Sequence, residues 1–151
     1  MKVDLYKKHI IMFIVMVIVG MLFNPMNMLA YRFTDLYVSI TLFYGGLLMA
    51  SNMIWAHEIV HYFTMGHFNI TVFWVGVLFS VFSIYLLRSQ LFVNDKNWLK
   101  RMIPHHSTAL TTTTNLINKN THIKQNPQLY RIAKDIVYNQ EREILFMKNM
   151  L

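Results

Sequence analysis

The sequence predicts an all-α protein in two parts, an integral membrane region of three transmembrane helices followed by a helical hairpin, and three observations carry that reading. Hydrophobic residues make up 55% of the chain and charged residues 14%, too apolar a balance for an ordinary soluble domain. Three apolar runs have the roughly 20 residues that a helix needs to cross a hydrocarbon core about 30 Å thick. Beyond about residue 90 the apolar residues recur at three- and four-residue spacing among charges, as in helices with one buried face. A mean hydropathy of +0.35 fits a chain that is part membrane, part water-exposed. The boundary divides a membrane region, residues 1–90, from a hairpin domain, residues 91–151.

The first run, about 9–30, is nearly all Ile, Val, Met, Phe and Leu. Its apolar core is too long for a cleavable signal and no small-residue cleavage site follows, so it reads as a retained helix that Asn24-Pro25 kinks or ends. The second run, about 36–56, contains Gly45-Gly46, which permits close helix approach, and Ser51 and Asn52, expected to hydrogen-bond between helices. The third, about 70–87, is closed by Arg88 and flanked by Phe68, Phe73 and Trp74, which suit an interface. His9 and Arg88, at span edges, read as interface anchors. Lys2, Lys7 and Lys8 flank one end while Arg88, Lys96, Lys100 and Arg101 flank the other, so charge bias sets no orientation.

The absence of cysteine excludes disulfides, thiolate zinc sites, iron–sulfur clusters and thiol nucleophiles, and leaves 12 Met and 7 His as the soft-metal donors. The net charge of +7 is spread without an aromatic stacking platform, so membrane lipid is the expected partner and nucleic acid is not. There is no phosphate-binding glycine loop, no nucleophile elbow and no titratable group near the middle of a span. No catalytic residue is assigned.

In the hairpin, Asn94 or Asp95 can cap a helix from Lys96 whose apolar face runs Leu99, Met102, His106, Ala109 or Leu110, Thr113, Leu116 and Ile117. Residues 118–126 form the turn, and Asn126-Pro127 pairs a capping side chain with a helix-starting proline. The inward stripe of the second helix is Leu129, Ile132, Ala133, Ile136, Gln140, Glu143, Ile144, Met147 and Leu151. Antiparallel pairing brings Met102, His105 and His106 opposite Glu143 and Met147. Thioethers and imidazoles suit copper, above all Cu(I), with Gln140 as a hydrogen-bonding partner behind the ligands. The same residues have a packing role open to them, since methionines at helical spacing usually fill core. Two helices enclose too little interior to stand alone, which predicts a homodimer or higher homo-oligomer through the hairpin.

The run Met102-Ile103-Pro104-His105-His106, with Gln140, Glu143, Ile144 and Met147 on the next helix, resembles the bacterial domain-of-unknown-function family 305 over about residues 95–150. The resemblance implies a ferritin-like helical domain associated with copper binding. Many members follow the two histidines with Gln-Met-Ala, whereas this chain has Ser107-Thr108-Ala109 and then Thr111 to Thr114. The expected function is a membrane-anchored, non-enzymatic protein for copper binding or tolerance. The alternative is a structural membrane protein whose hairpin mediates assembly without metal.

His57-Glu58-Ile59-Val60-His61 fits the zinc pattern of two histidines one helical turn apart with a carboxylate base, and His67 falls near a third-ligand position. Thr64 stands where the longer metalloprotease motif needs a turn-forming glycine, and no segment would hold a peptide substrate. A membrane zinc hydrolase therefore ranks below a non-catalytic metal relay through His57, His61 and His67, with zinc as the alternative metal. Otherwise this stretch is the polar connection between the second and third spans.

Overall fold

The computed structural model describes residues 2–119 and 121–151, with side chains from Tyr6 onward apart from Thr121. The described residues form six helices: α1 Lys2–Leu22, α2 Pro25–Met28, α3 Ile40–Met65, α4 Ile70–Ser89, α5 Asp95–Lys119 and α6 Pro127–Asn149. Short 3-10 turns span Phe33–Asp35 and Thr121–Gln125, and there is no strand among the described residues. Asn120, inside the expected turn, lies outside them. Two compact units result, one of Met1–Phe23 with Ile40–Val93, the other of Asn24–Ser39 with Asn94–Leu151.

Local chemistry sets the helix ends. The Asn24 side chain accepts the Asn27 N–H at 3.0 Å and Pro25 occupies the first turn, so the helix that stops at Leu22 restarts as the short α2. The second long helix begins at Ile40 rather than near Leu36, whose backbone is extended. It then runs on to Met65, so residues 57–65 are helix and not the expected connection. Nothing in that stretch breaks a helix until Gly66, which takes φ +67° and bonds its N–H to the Tyr62 carbonyl at 2.9 Å. Asn69 caps α4 by accepting from the N–H groups of Thr71 and Val72, and left-handed Gln90 closes it. Asn126 caps α6 through the Leu129 N–H with Pro127 in the first turn, as that dipeptide predicts.

In the first unit, α3 packs against both α1 and α4 through small residues. A Cβ on Gly46 would lie 2.7 Å from the Val17 carbonyl oxygen, and one on Gly76 would lie 2.9 Å from the Trp55 nitrogen, whereas Gly45 faces open space. Ser51 donates to the Leu47 carbonyl at 2.6 Å, and Asn52 accepts from the Trp55 indole at 3.2 Å. Both bonds stay within α3 instead of crossing to a neighbour, because a carbonyl one turn back is always within reach of a helical hydroxyl. Ile10, Ile14 and Ile18 on α1 and Trp74, Leu78 and Phe82 on α4 are exposed. Two stretches, Tyr6–Met28 and Ile70–Ser89, are long and apolar enough to cross a membrane.

In the second unit, α5 and α6 bury Leu99, Ile103, Leu110, Ile144 and Met147, with Tyr37, Met102 and Val137 packed against them. The stripe read from the sequence omits Ile103 and Ser107, both fully buried, and includes Leu129 and Ile132, which are exposed. The reason is the segment between α1 and α3. Its α2 and 3-10 turn pack on α5, so α5 is covered on two sides. Asp35 of that segment is 1% exposed and accepts from the Ser107 hydroxyl and the Lys148 ammonium, each at 2.6 Å. The Ser107 oxygen in turn accepts the Tyr31 N–H at 2.7 Å, and the Thr108 hydroxyl donates to the Met26 carbonyl at 2.9 Å. Ser107 and Thr108, where the sequence departs from the Gln-Met pattern, are thus the residues that hold this segment.

Candidate functional site

Met102, His105 and His106 occupy the first half of α5, and Gln140, Glu143 and Met147 the last half of α6. The His106 Nδ1 lies 2.8 Å from the Met102 carbonyl, which can only accept, so Nδ1 carries the hydrogen and Nε2 faces the neighbouring helix. There it lies 2.8 Å from the Glu143 Oε2, an ion pair when the ring carries both hydrogens and a lone pair open to a metal when it does not. A backbone carbonyl fixing one ring nitrogen while the other meets a ligand is how metal-bound imidazoles are oriented.

Met102 lies one turn before His106 and Met147 one turn after Glu143. Because the helices are antiparallel, both methionines fall on the next level towards the start of α5. Met147 is buried in the apolar cluster and Met102 packs against it, so both thioethers also serve as core. Gln140, half-buried, is one turn from Glu143. His105 lies on the exposed side of α5, its ring edge-on to His106 at 5.8 Å. Partial burial, and then the charges of His106 and Arg101, push its pKa below the ordinary imidazole value. Burial lowers that of Arg101 as well. The residues thus give one imidazole–carboxylate pair, two soft sulfurs a turn away and an exposed imidazole held neutral to lower pH. A thioether, imidazole and carboxylate set of this kind fits copper.

The first unit places His57, His61 and His67 in a row. The His57 and His61 rings stack at 5.8 Å, the His61 and His67 rings meet edge-on at 5.8 Å, and the His61 Nδ1 lies 3.1 Å from the His67 carbonyl oxygen. Glu58, 3% exposed, accepts the Asn69 N–H on Oε2 at 2.9 Å and has Oε1 at 3.2 Å from the His9 Nε2. Among the described residues, the His, Asp and Glu donors that gather in threes within 4.8 Å are those of His9, His57 and Glu58. His9 is therefore no interface anchor: it is 8% exposed and turned inward. Nothing in its local sequence reveals this, since its partner is 49 positions away. Its one signal is a titratable group at the start of an apolar run, directly after Lys7 and Lys8.

The family of domains of unknown function DUF305 matches residues 86–151. An uncharacterised protein, L153, of Acanthamoeba polyphaga mimivirus is 30% identical over 130 residues, which cover 85% of this chain and 81% of the viral protein. No solved structure matches. With the hairpin inside the matched segment and the likeness to the viral protein extending into the apolar helices, the chain belongs to the DUF305 family.

Proposed function

We propose that this protein is a membrane-anchored, non-enzymatic metal-binding protein whose hairpin takes copper. The observation that carries the reading is the His106–Glu143 pair across α5 and α6, its imidazole fixed by the Met102 carbonyl, with the Met102 and Met147 thioethers one turn away. Soft sulfur beside imidazole favours Cu(I), in keeping with the copper association that the family resemblance implies.

Anchoring follows from α1, α3 and α4 acting as three spans. The outward surfaces of α1 and α4 are mainly aliphatic and aromatic, and the buried polar side chains Ser51 and Glu58 of α3 are met inside the unit, Ser51 by its own helix and Glu58 by His9 and Asn69. On α6, Leu129, Ile132, Leu145 and Phe146 are exposed, an apolar surface that a second copy of the hairpin would cover to make a four-helix bundle.

The test is a Cu(I) titration of the detergent-solubilised protein against a chromophoric chelator. The expected result is one tightly held ion per chain, lost in His106→Ala and Glu143→Gln and weakened in Met147→Leu. If the wild-type chain takes no Cu(I), the metal reading fails and the assembly reading, favoured by the packing of Met102 and Met147 in the core, replaces it. Light scattering of an Ile132→Asp, Phe146→Asp variant then reads the oligomer directly.

A further inference from the structure

Among the described residues, the carboxylate buried in the unit of α1, α3 and α4 is that of Glu58, near the end of α3. A buried carboxylate costs several kcal/mol in lost hydration unless cations or several donors meet it. The Asn69 N–H holds Oε2 at 2.9 Å, while Oε1 faces the His9 Nε2 at 3.2 Å and the His57 Nδ1 at 3.9 Å. The two imidazole distances are informative. Charge-assisted N–H···O bonds are about 2.7–2.9 Å long, so His9 is long for one and His57 is beyond reach. Two ligands each about 2.0–2.1 Å from one tetrahedral ion lie about 3.3 Å apart, a value between the two observed separations. The Asn69 N–H orients the carboxylate from behind and leaves Oε1 towards the imidazoles, the role of the outer hydrogen bonds at metal sites.

Access and space are present as well. The His57 side chain is 43% exposed. A cavity of about 330 Å³ adjoins the cluster, lined by Lys8, His9, Met12, His57, His61 and Met65, so a fourth ligand has room. Lys8, which lines it, is an exposed residue. We propose that His9, His57 and Glu58 bind a divalent transition-metal ion of borderline softness, of the zinc class, where α1 begins and α3 ends. Two imidazole nitrogens and a carboxylate oxygen are a donor set for such an ion, with a fourth position left open. Glu58 acts here as a ligand rather than as the base of a hydrolase, and His9 supplies what the His57–His61 spacing does not reveal. The site shares no residue with the hairpin pair.

The experiment is a Co²⁺ titration of the full chain in detergent after chelator treatment, read by the visible bands that tetrahedral Co²⁺ gives and its six-coordinate aqua ion lacks. The expected result is saturation at one equivalent, displacement by Zn²⁺, and a fall in affinity of at least roughly 100-fold, the upper end of what an outer-shell change costs, in both His57→Ala and Glu58→Gln. The His106→Ala, Glu143→Gln double variant keeps the bands, so failure of the hairpin reading and of this one are distinguishable. His57 makes no direct hydrogen bond to Glu58, so its variant retains the His9–Glu58 contact and its helical circular dichroism. Absent bands in the wild type, or bands that survive His57→Ala, overturn the site and leave His9–Glu58 as a brace between α1 and α3.

Discussion

The unit of α1, α3 and α4 buries small residues, Gly46, Ala50, Ser51, Gly76, Ser80 and Ser83, among Val17, Leu42, Ile54, Val72 and Leu86, while Ile14, Leu78 and Phe82 face outward. The unit of α5 and α6 buries Leu99, Ile103, Leu110 and Ile144 and turns Arg131, Lys134, Asp135, Glu141 and Arg142 outward. Against water, burying leucine and isoleucine gains about 1.5–3 kcal/mol per side chain. Against lipid that gain vanishes, and close backbone approach through glycine, alanine and serine takes over. The two interiors are both apolar, and the difference lies in the exteriors, one aliphatic and aromatic and one rich in charge; that contrast is the ground for the proposed membrane anchor.

The comparison breaks most severely at its polar exceptions. Asp35→Ala leaves Lys148 and Ser107 facing an empty, buried position, and removing one partner of such a pair costs about 3–5 kcal/mol. We expect a correspondingly lower unfolding midpoint of the hairpin unit in thermal circular dichroism. Asp35→Asn, which keeps an acceptor, loses less.

A matched pair of surface changes sharpens it. Leu78, 64% exposed and midway along α4, and Leu145, 57% exposed on α6, look alike by exposure. Leu78→Arg places a charge where the proposal has lipid and costs about 2.5–3.5 kcal/mol of insertion. Leu145→Arg, on the hairpin, carries no insertion cost, whatever its effect on assembly. Carbonate extraction of membranes expressing each variant reads the difference, and equal retention would show that the apolar exterior of α4 is not lipid-facing.

The smallest expected effect concerns the glycines. Gly46→Val drives a side chain into the Val17 carbonyl, an overpacking cost of about 1–3 kcal/mol. Gly45→Val meets no atom within 4 Å and is nearly silent. Thermal unfolding of the two in one detergent separates a packing glycine from a bystander.

The hairpin motif was legible because its chemistry is local. Asn126-Pro127 starts α6, Met102 and His106 share a face one turn apart, and Glu143 and Met147 do the same on α6. The cover on that hairpin was not legible. Asp35 reaches Ser107 across 72 positions and Lys148 across 113, and no periodicity carries information over such spans. The histidine cluster lies between these cases. The spacing of His57, Glu58 and His61 marks a helix turn rich in donors, yet the partner that folding brings to Glu58 is His9.

By itself the sequence determined the all-helical class, two of the three apolar stretches it marked as long enough to cross a membrane, and the Asn126-Pro127 start of α6. These depend on residue type and on neighbours within about two turns. Tertiary structure alone decided that His9 turns inward onto Glu58 and that Ser107 serves Asp35. Each of these is settled by how a buried polar group finds its partner, and such a partner is set by proximity in space rather than along the chain.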